Sequence, residues 1–540
     1  MLALVLACAA YAPALVGGFA YDDGEAIRLN PVVQGQLPAL QAFAQDYWHH
    51  ISDAGHYRPL ATLSLRWDRF LWEDNPMGFH ATSLALHLIV VLLGGFLLQR
   101  LRPKSPACFL GLIFFACHPA LGDSVAWISG RTSSLCALGG LLGSLWLLGK
   151  PGSSPSQQRV LWGAALAPFL ACLGKEDGVL FAPLAVFLGL WCGRGRVAWA
   201  GALLGVAAAA ALRAWALGAP IPKAHGAPLG HLSLLERVPQ GALAWLGGLK
   251  LVALPWQISP GQEALDRASM SPWVGVLVLL AGLALGIFAF TMRKRSSLLA
   301  GSLLLVLVSI LPTLEIIPAG EVFAPRYLYL PLLFAAPLSG ALLYRIPRAC
   351  LLALLLVWIP LGWQASQAYT SRAAYWTTRM EYGEETPMGW NALGNARLEA
   401  KDPTGARAAF DQAIKLDPHY SRPWVNLGTL TWSEDGPAAA RPILERACLE
   451  GPQNPAAHGN LGAVLLSLGK PIEAEGHYLQ AIELAPGRGA LWRGLARALL
   501  DQGRRTEALQ ALDKGIQQMG QDPASERLRL KIQEDELSPP

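Results

Sequence analysis

Three carboxylates stand close together just after the first apolar run of the chain. Asp22, Asp23 and Glu25 follow residues 1–20, a run about long enough to cross the hydrocarbon core of a bilayer. Carboxylates held beside hydrocarbon are costly unless they are hydrated or paired, so the cluster indicates a site. Adjacent carboxylates also raise each other's pKa, which suits a proton acceptor. The simpler interpretation is that these residues only end a transmembrane helix.

Cationic side chains beside apolar runs form a second candidate group. Arg58, Arg131, Lys175 and Arg326 could supply fixed positive charge to an anionic ligand. The alternative for each is an interfacial residue whose long side chain reaches water. Lys175 could equally form a self-satisfied pair with Glu176.

Histidines give no complete metal site. His80 and His87 are seven residues apart and share one side of a predicted span, but two residues do not complete a metal centre. A hydrogen-bonded role for both is therefore the preferred interpretation. His118 precedes Pro119 and is expected to end a span near the site.

The composition predicts a polytopic membrane protein. Of 540 residues, 53% are hydrophobic and 15% are charged, which is too apolar for an ordinary soluble protein. The net charge of +5 is small and its basic residues are dispersed, so nucleic acid binding is not expected. Seven of the eight cysteines lie in or beside apolar runs, and Cys448 has no nearby partner in the sequence. Neither a disulfide framework nor a zinc site is predicted.

Apolar runs recur along the first 370 residues and predict eleven membrane spans, with a long first loop at 21–82. Basic residues occupy alternate connections: Arg100/Arg102/Lys104, Lys150/Arg159, Arg194/Arg196, Arg293-Lys294-Arg295 and Arg345/Arg348. The positive-inside rule places them in the cytoplasm, with the N-terminus inside and everything after about 367 outside. This alternation holds only if 241–256 is re-entrant or interfacial. The candidate polar motifs then share the outer face, which chance would not produce.

A second domain is predicted from a 34-residue period. Trp390, Trp424, His458 and Trp492 occupy equivalent positions, and columns of small and large apolar residues repeat around them. This is the tetratricopeptide pattern, in which paired helices stack into a solenoid. The predicted organisation is a membrane domain at 1–370, a linker at 371–386, four repeats, and a capping helix and tail at 523–540. The repeats are 387–420, 421–454, 455–488 and 489–522.

The membrane-domain motifs, taken with the repeats, resemble the transmembrane-and-tetratricopeptide O-mannosyltransferases (TMTC-like proteins), polytopic glycosyltransferases of the GT-C class. The resemblance is carried, in matching order over most of 19–331, by Tyr21-Asp22-Asp23-x-x-Ala26-Ile27-x-x-Asn30-Pro31, Tyr57-Arg58-Pro59-Leu60, Asn75-Pro76-x-Gly78-Phe79-His80 with His87, His118-Pro119, Gly130-Arg131, Lys175-Glu176 and Arg326-Tyr327-Leu328-Tyr329-Leu330-Pro331. The chain departs from the family at Asp123, where Glu is usual. It also departs at Pro325, where a Glu before Arg326 is usual.

The resemblance implies an all-α fold, a GT-C-type membrane domain followed by an α-solenoid. It implies transfer of a sugar, mannose or another hexose, from a polyprenyl-phosphate donor to a Ser or Thr hydroxyl of an exported protein. A hydroxyl is a weak nucleophile and needs a general base. The implied base is Asp22, with Asp23 second. The implied partners are the lipid-linked donor, membrane lipids and a protein acceptor engaged by the repeats.

The remaining roles follow from the leaving group, a lipid phosphate whose developing charge needs fixed cations. Arg131, Lys175 and Arg326 are the implied phosphate-binding residues, with Arg58 as a fourth. The supporting residues are Glu25, His80, His118, Asp123 and Glu176. No cofactor and no metal is required, although a divalent metal would be compatible with the acidic motif.

Two other functions, a repeat scaffold and a transporter, account less well for the sequence. A non-enzymatic, membrane-anchored repeat scaffold would leave the polar motifs unexplained and would need only one span. A transporter would predict charges deep in the spans and two matching halves, and no such symmetry is visible. The absence of Asn-x-Ser/Thr sequons favours a bacterial inner membrane with periplasmic repeats over an endoplasmic-reticulum membrane with luminal repeats.

Overall fold

The computed structural model describes residues 1–51, 55–150, 154–220, 229, 232–256, 258–260, 271–314, 316, 323–382, 385–519 and 522–537. Within these ranges every regular element is a helix, which confirms the predicted all-α fold class. The chain divides into two compact units, Met1–Tyr382 and Gly383–Pro540, each with its own apolar core.

The first unit carries fifteen α-helices in its described residues, with short turns of 3-10 helix between several of them. They are α1 Leu2–Tyr11, α2 Pro59–Trp72, α3 Pro76–Leu101, α4 Pro106–Ala116, α5 Gly122–Val125, α6 Thr132–Leu148, α7 Gln157–Gly174, α8 Phe181–Trp191, α9 Gly195–Leu217, α10 Leu234–Ala253, α11 Pro272–Met292, α12 Ser297–Ser309, α13 Tyr329–Leu343, α14 Arg348–Gln367 and α15 Arg372–Glu381.

Five helical segments in the described part of the chain are long and apolar enough to cross a membrane, and a sixth span results if a bent pair counts as one. The five are α3, α9, α11, α14 and the segment Pro325–Leu343. The bent pair joins Pro106–Ala116 to Pro119–Val125 at 51°. Several other apolar runs form helices shorter than 18 residues, among them α8 and α12. The count of eleven spans and the orientation therefore stay predictions.

The region predicted as re-entrant or interfacial, 241–256, lies mostly in α10. Ser233 and Glu236 start this helix through a capping box. The helix carries Arg237 and Lys250 and is not among the candidate spans. Whether it enters a membrane stays a prediction.

Close packing of α6 against α7 positions part of the site. A methyl group added at Gly143 would lie 2.4 Å from the Ala167 nitrogen, so only a glycine permits this approach. At the other end, a methyl group at Gly174 would lie 2.6 Å from the Cys136 nitrogen. The end of α7 therefore lies against the first turns of α6, and Lys175 follows directly from that contact.

The segment predicted as a linker, 371–386, begins instead with an ordered helix. Ser371 caps α15 by accepting a hydrogen bond from the Ala374 nitrogen at 3.0 Å. Tyr375 is buried in the first unit and stacks on Tyr21 with a ring-centroid distance of 4.6 Å. The linker prediction was therefore wrong for 372–381, because an apolar face of this short segment packs onto the membrane unit.

The second unit is a series of antiparallel helix pairs. Its helices are α16 Pro387–Glu399, α17 Pro403–Leu416, α18 Ser421–Asp435, α19 Pro437–Glu450, α20 Pro455–Ser467, α21 Pro471–Leu484, α22 Gly489–Asp501, α23 Arg505–Met519 and α24 Pro523–Leu537. Small residues face large ones inside each pair. A methyl group at Gly428, for example, would meet Leu444 at 2.7 Å. Ile532 of α24 is buried with the core of this unit.

One hydrogen bond recurs in three of the repeats. The indole nitrogens of Trp424 and Trp492 donate to the carbonyls of Pro418 and Pro486, at 2.9 and 2.8 Å. His458 occupies the same column in the third repeat, and its Nε2 lies 3.2 Å from the Pro452 carbonyl. The column thus needs both an apolar ring and an N–H donor, which explains its preference for Trp.

Replacement of Trp492 by Ala tests this packing. Trp492 is 7% exposed and lies against Gly515, whereas Trp424 is only half-buried. We expect Trp492→Ala to lower the free energy of unfolding of the fragment 385–540 by about 3–5 kcal/mol, because a large core side chain is lost. Trp424→Ala should cost less. Urea unfolding followed by circular dichroism measures both, and equal costs would show that Trp492 does not fill the core.

Candidate active site

Asp23 is a fully buried carboxylate held by three donors. Its Oδ1 accepts hydrogen bonds from the backbone nitrogen of Ser129 at 2.9 Å and from the Ser129 hydroxyl at 2.8 Å. Its Oδ2 accepts from the Ala20 nitrogen at 3.1 Å. Burial raises the pKa of Asp23 to about 6, although the Ser129 hydrogen bonds and the charge of Arg131 act in the opposite direction. Asp23 is therefore fixed in place, with its oxygens already occupied.

Asp22 differs from its neighbour in having an oxygen without a hydrogen-bond partner. The residue is half-buried, and its Oδ1 is itself buried and has no hydrogen-bond partner within the described part of the chain. Burial raises the pKa of Asp22 well above its ordinary value, and the adjacent Asp23 raises that pKa further. The positive charge of Arg326 acts in the opposite direction, so Arg326 lies within electrostatic reach. An unpartnered carboxylate oxygen with a raised pKa can accept a proton from a hydroxyl.

Aromatic packing holds the turn that presents these two carboxylates. Tyr21 has a positive φ of 44°, an uncommon conformation for a residue with a side chain. Its ring stacks on Tyr375 and lies 5.9 Å from the ring of Trp127. On the other side of the turn, Glu25 pairs with Arg372 at 3.4 Å. Helix α15 therefore supports the acidic motif from two directions.

Arg131 has all its polar contacts inside the protein. Its Nη1 lies 2.5 Å from Asp68 Oδ2, and its Nη2 and Nε donate to the carbonyls of Phe79 and Ile128. Both partners of the ion pair are fully buried. The prediction that Arg131 binds the donor phosphate does not fit this geometry, because no face of the guanidinium is open. Its role is to clamp α2 and α3 onto the turn that carries Ser129.

Arg58 and Glu176 form the centre of a second polar cluster. Glu176 accepts hydrogen bonds from the Tyr57 nitrogen and from Arg58 Nε, each at 3.1 Å, and Arg213 lies 4.0 Å away. Burial favours the neutral acid, but the Arg58 charge, the contacts with His56 and a backbone hydrogen bond together outweigh burial and hold the pKa of Glu176 well below its usual range. The charge of Arg58 is thus matched, and the pair fastens the first loop to the end of α7. Tyr47 lies between this pair and the acidic motif, since both Asp22 and Arg58 act on its hydroxyl.

Lys175 and Arg326 line a narrow cleft with a cavity volume of about 10 Å³. Lys175 pairs with Asp177 at 2.6 Å, and its ammonium lies 4.9 Å from the ring centre of Tyr327. Arg326 contacts Asp123 at 3.7 Å. This carboxylate replaces the partner expected immediately before Arg326, where Pro325 stands. The cleft therefore holds two cations, each with a carboxylate beside it.

A second, apolar slot with a cavity volume of about 50 Å³ lies further along the same helices. On α6, Ser133 and Cys136 line the cleft, whereas Leu141 lines the slot one to two turns further on. On α12, which runs the other way, Ser309 lines the cleft and Leu305 lines the slot. The same progression occurs from the 3-10 turn Glu176–Leu180 into α8, and along α13. The cationic cleft and the apolar slot are therefore successive parts of one seam between these helices.

The predicted histidines are hydrogen-bonded within the protein. His80 lies 2.9 Å from the Ala126 carbonyl and 3.0 Å from the Gly18 carbonyl, and so joins α3 to the segments flanking Asp23. His87 contacts the Tyr329 hydroxyl at 2.9 Å. His118 caps the turn that follows it and contacts the Val252 carbonyl at 3.1 Å. These contacts agree with the preferred interpretation, in which the rings are structural.

Four important residues were not found from the sequence: Asp68, Ser129, Asp177 and Tyr375. Asp68 lies in α2, a helix inside the segment interpreted only as a loop. Its amphipathic spacing could have revealed the helix. Ser129 precedes the Gly130-Arg131 motif by one position, and Asp177 follows Lys175-Glu176, so each was adjacent to a recognised signal. No motif or spacing in the sequence indicated a role for Tyr375.

Comparison with known proteins finds tetratricopeptide repeats in the second unit and protein O-mannosyl-transferases among the relatives of the chain. Tetratricopeptide repeat profiles match residues 387–420, 425–489 and 465–532. A protein O-mannosyl-transferase of Caenorhabditis elegans is 29% identical over 183 residues, 33% of this chain and 26% of the relative. Protein O-mannosyl-transferase TMTC4 of Homo sapiens is 32% identical over 198 residues, 32% of this chain and 27% of the relative. The resemblance to a TMTC-like family is confirmed, while the match spans about a quarter of these relatives' length.

Solved structures match weakly. A crystal structure of a thermophilic tetratricopeptide protein of Thermus thermophilus is 21% identical, with a TM-score of 0.26, and the match covers 30% of this chain and 91% of that one.

The structural role of Arg131 can be tested by Arg131→Gln. The substitution would leave the Asp68 carboxylate buried without its cation, which typically costs about 3–5 kcal/mol. Arg58→Gln is the matched control, because the Arg58–Glu176 pair is partly exposed and should cost less. Thermal unfolding of the full-length protein in detergent measures both. If Arg131→Gln unfolds like the wild type and instead loses donor binding, Arg131 is a phosphate ligand.

Proposed function

We propose that this protein is a membrane glycosyltransferase that moves a sugar from a polyprenyl-phosphate donor to a Ser or Thr hydroxyl of an exported protein. The observation that carries the proposal is the seam in which a cationic cleft leads into an apolar slot, with the acidic motif within electrostatic reach of Arg326. These features come from segments of the chain that are far apart in sequence. The similarity to proteins named O-mannosyl-transferases supports the same reaction class, with mannose or another hexose as the sugar.

The donor would bind along the seam, head in the cleft and chain in the slot. Phosphate is matched by the charges of Lys175 and Arg326, and a prenyl chain by the leucine and phenylalanine side chains of the slot. The carboxylates of Asp177 and Asp123 keep these cations compensated while the cleft is empty. Arriving phosphate oxygens would compete with those carboxylates for the same donors.

The chemical step follows from the placement of Asp22. The acceptor hydroxyl oxygen attacks the anomeric carbon of the donor sugar. The hydroxyl proton passes to Asp22 Oδ1, the carboxylate oxygen that has no hydrogen-bond partner. The bond between that carbon and the phosphate oxygen breaks, and the electron pair leaves on the lipid phosphate. Arg326 and Lys175 stabilise the departing negative charge. Asp23 positions its neighbour and raises the pKa of Asp22, which strengthens it as a base.

The repeats would engage the protein acceptor, since stacked helix pairs provide extended concave surfaces for binding. The proposed location is a bacterial inner membrane with periplasmic repeats. An endoplasmic-reticulum membrane with luminal repeats is the alternative.

Asp22→Asn tests the base. It preserves size but removes the proton acceptor, so we expect transfer to fall by about 10²–10⁴-fold. Wild-type activity should rise with pH, because Asp22 must be deprotonated to act and its pKa is raised, and the variant should lose this rise. Asp23→Asn should keep partial activity. Single-turnover transfer from a polyprenyl-phosphate sugar to a Ser/Thr peptide in nanodiscs measures each rate.

The double variant, Asp22→Asn with Asp23→Asn, is the decisive control for the enzymatic interpretation. Full activity in that variant would remove the acidic motif from the reaction. Absence of any transfer by a correctly folded wild type would favour the membrane-anchored scaffold.

Leu305→Trp tests the slot independently. Leu305 is buried and lines the slot, so a larger ring there should exclude part of the prenyl chain. Loss of contact with about two methylene groups corresponds to roughly 1.6 kcal/mol, or about a tenfold rise in KM for a long-chain donor. A short-chain donor should be affected little. Leu283→Trp, on an exposed face of α11, is the matched control. Equal effects on both donors would place the chain elsewhere.

A further inference from the structure

Three positions of the repeat array break the pattern of their own columns, and all three carry metal-binding residue types. Where the other repeats have Trp390, Trp424 and Trp492, the third has His458. Where the others have Ile414, Ile482 and Ile516, the second has Cys448. Where the others have Ala409, Ile443 and Ala511, the third has His477.

The three exceptions meet in space. Cys448 on α19, His458 on α20 and His477 on α21 offer one sulfur and two nitrogen atoms that all lie within 4.8 Å of one another. The two Nδ1 atoms are 3.2 Å apart. Nitrogen ligands of a tetrahedral Zn²⁺ site, bound at about 2.0–2.1 Å, are roughly 3.3 Å apart, so the pair is already close to that spacing. The sequence suggested no partner for Cys448, because the two histidines follow it by 10 and 29 residues on different helices.

The repeat architecture also sets the tautomer of His458. Its Nε2 occupies the place of the indole N–H in Trp424 and Trp492 and lies 3.2 Å from the Pro452 carbonyl. A carbonyl only accepts, so Nε2 must carry the proton. Nδ1 of the neutral ring is then a lone pair directed at His477. Metal-binding histidines commonly donate their second nitrogen to a carbonyl in this way, which fixes the orientation of the ring.

We propose that Cys448, His458 and His477 form a binding site for a borderline-soft divalent cation, with Zn²⁺ as the best match. One thiolate and two imidazoles supply three of four tetrahedral ligands, and water or an added group completes the site. His458 is buried and His477 is partly exposed, so an ion could reach the site from the His477 side. A bound ion would fasten the second repeat to the third.

Burial keeps the Cys448 thiol protonated while no metal is bound. Burial raises the pKa of Cys448 to about 12, and the nearby Glu445 carboxylate also raises it. The sulfur is therefore a neutral thiol at pH 7 without a metal, and binding of the ion would release its proton. Glu445 and Glu473 also act on His477, and both carboxylates are paired with Arg441.

The test is metal binding by the full-length protein in detergent, with its affinity tag removed and metal stripped by a chelator. We expect Co²⁺ to bind with one ion per chain and to give a thiolate-to-Co²⁺ charge-transfer band, which Zn²⁺ then displaces. Zn²⁺ should also raise the melting temperature of the repeats, since it binds only the folded site. Absence of a stoichiometric band in the wild type would overturn the proposal.

The chain supplies its own control variants. Cys448→Ile, His458→Trp and His477→Ala each restore the residue of the other repeats, so each should fold. Each should weaken Co²⁺ binding beyond the roughly 10–100-fold that loss of a supporting contact costs, and should abolish the Zn²⁺-dependent rise in melting temperature. His419→Ala, which alters an exposed histidine paired with Glu450, should leave both unchanged. A band that persists in Cys448→Ile, or an equal Zn²⁺ effect in wild type and variants, would show adventitious binding.

Discussion

The buried ion pair between Arg131 and Asp68 is the contact on which the candidate site depends. A guanidinium removed from water is tolerated only when its donors are satisfied, and here a carboxylate and two carbonyls satisfy them. Those partners belong to α2, to α3 and to the turn that begins α6. The same turn presents Ser129 to Asp23, so the position of the acidic motif follows from the clamp. A cation that looked available for a substrate thus serves to assemble the place where a substrate would bind.

The seam between α6, α8, α12 and α13 gives the membrane unit a second organising feature. Its polar end is lined by charged residues paired with carboxylates, and its apolar end is lined almost entirely by hydrocarbon side chains. This change from charged to apolar lining suits an amphiphile, whose charged group favours polar surroundings and whose hydrocarbon chain favours removal from water. The carboxylates beside Lys175 and Arg326 lower the cost of holding two cations near an apolar space. Because each cation is paired with a carboxylate, the empty cleft carries little net positive charge and does not attract every anion.

Much of this architecture could be predicted from the sequence, and the failures have identifiable causes. The 34-residue period predicted the repeats, because each helix pair must bury small and large residues at the same positions. The pairing of Arg131 could not be predicted, since Asp68 is 63 residues away and lies on a helix that the composition of its segment concealed. Helix α15 was missed because a pattern of only 10 residues beside the repeats does not distinguish a short amphipathic helix from a linker. Hydropathy alone does not fix the number of spans, because several apolar runs form helices too short to cross a bilayer without tilting or completion by polar ends.

Two buried carboxyl groups described above favour opposite protonation states, and together they define a range of acidity for folding. The pKa of Asp23 rises from 3.8 to about 6 in the folded protein, so its contribution to stability is complete below pH 3.8 and is lost as the pH rises through about 6. The pKa of Glu176 falls below 4.5, so its contribution is complete above that value and is lost under stronger acid. The loss from Asp23 and the gain from Glu176 offset each other between about pH 3.8 and 4.5, and above that range the Asp23 contribution continues to fall until about pH 6. Toward neutral pH, the ionised Asp23 that raises the pKa of Asp22 therefore makes the fold less stable, so one buried carboxylate links the protonation of its neighbour to the stability of the whole unit.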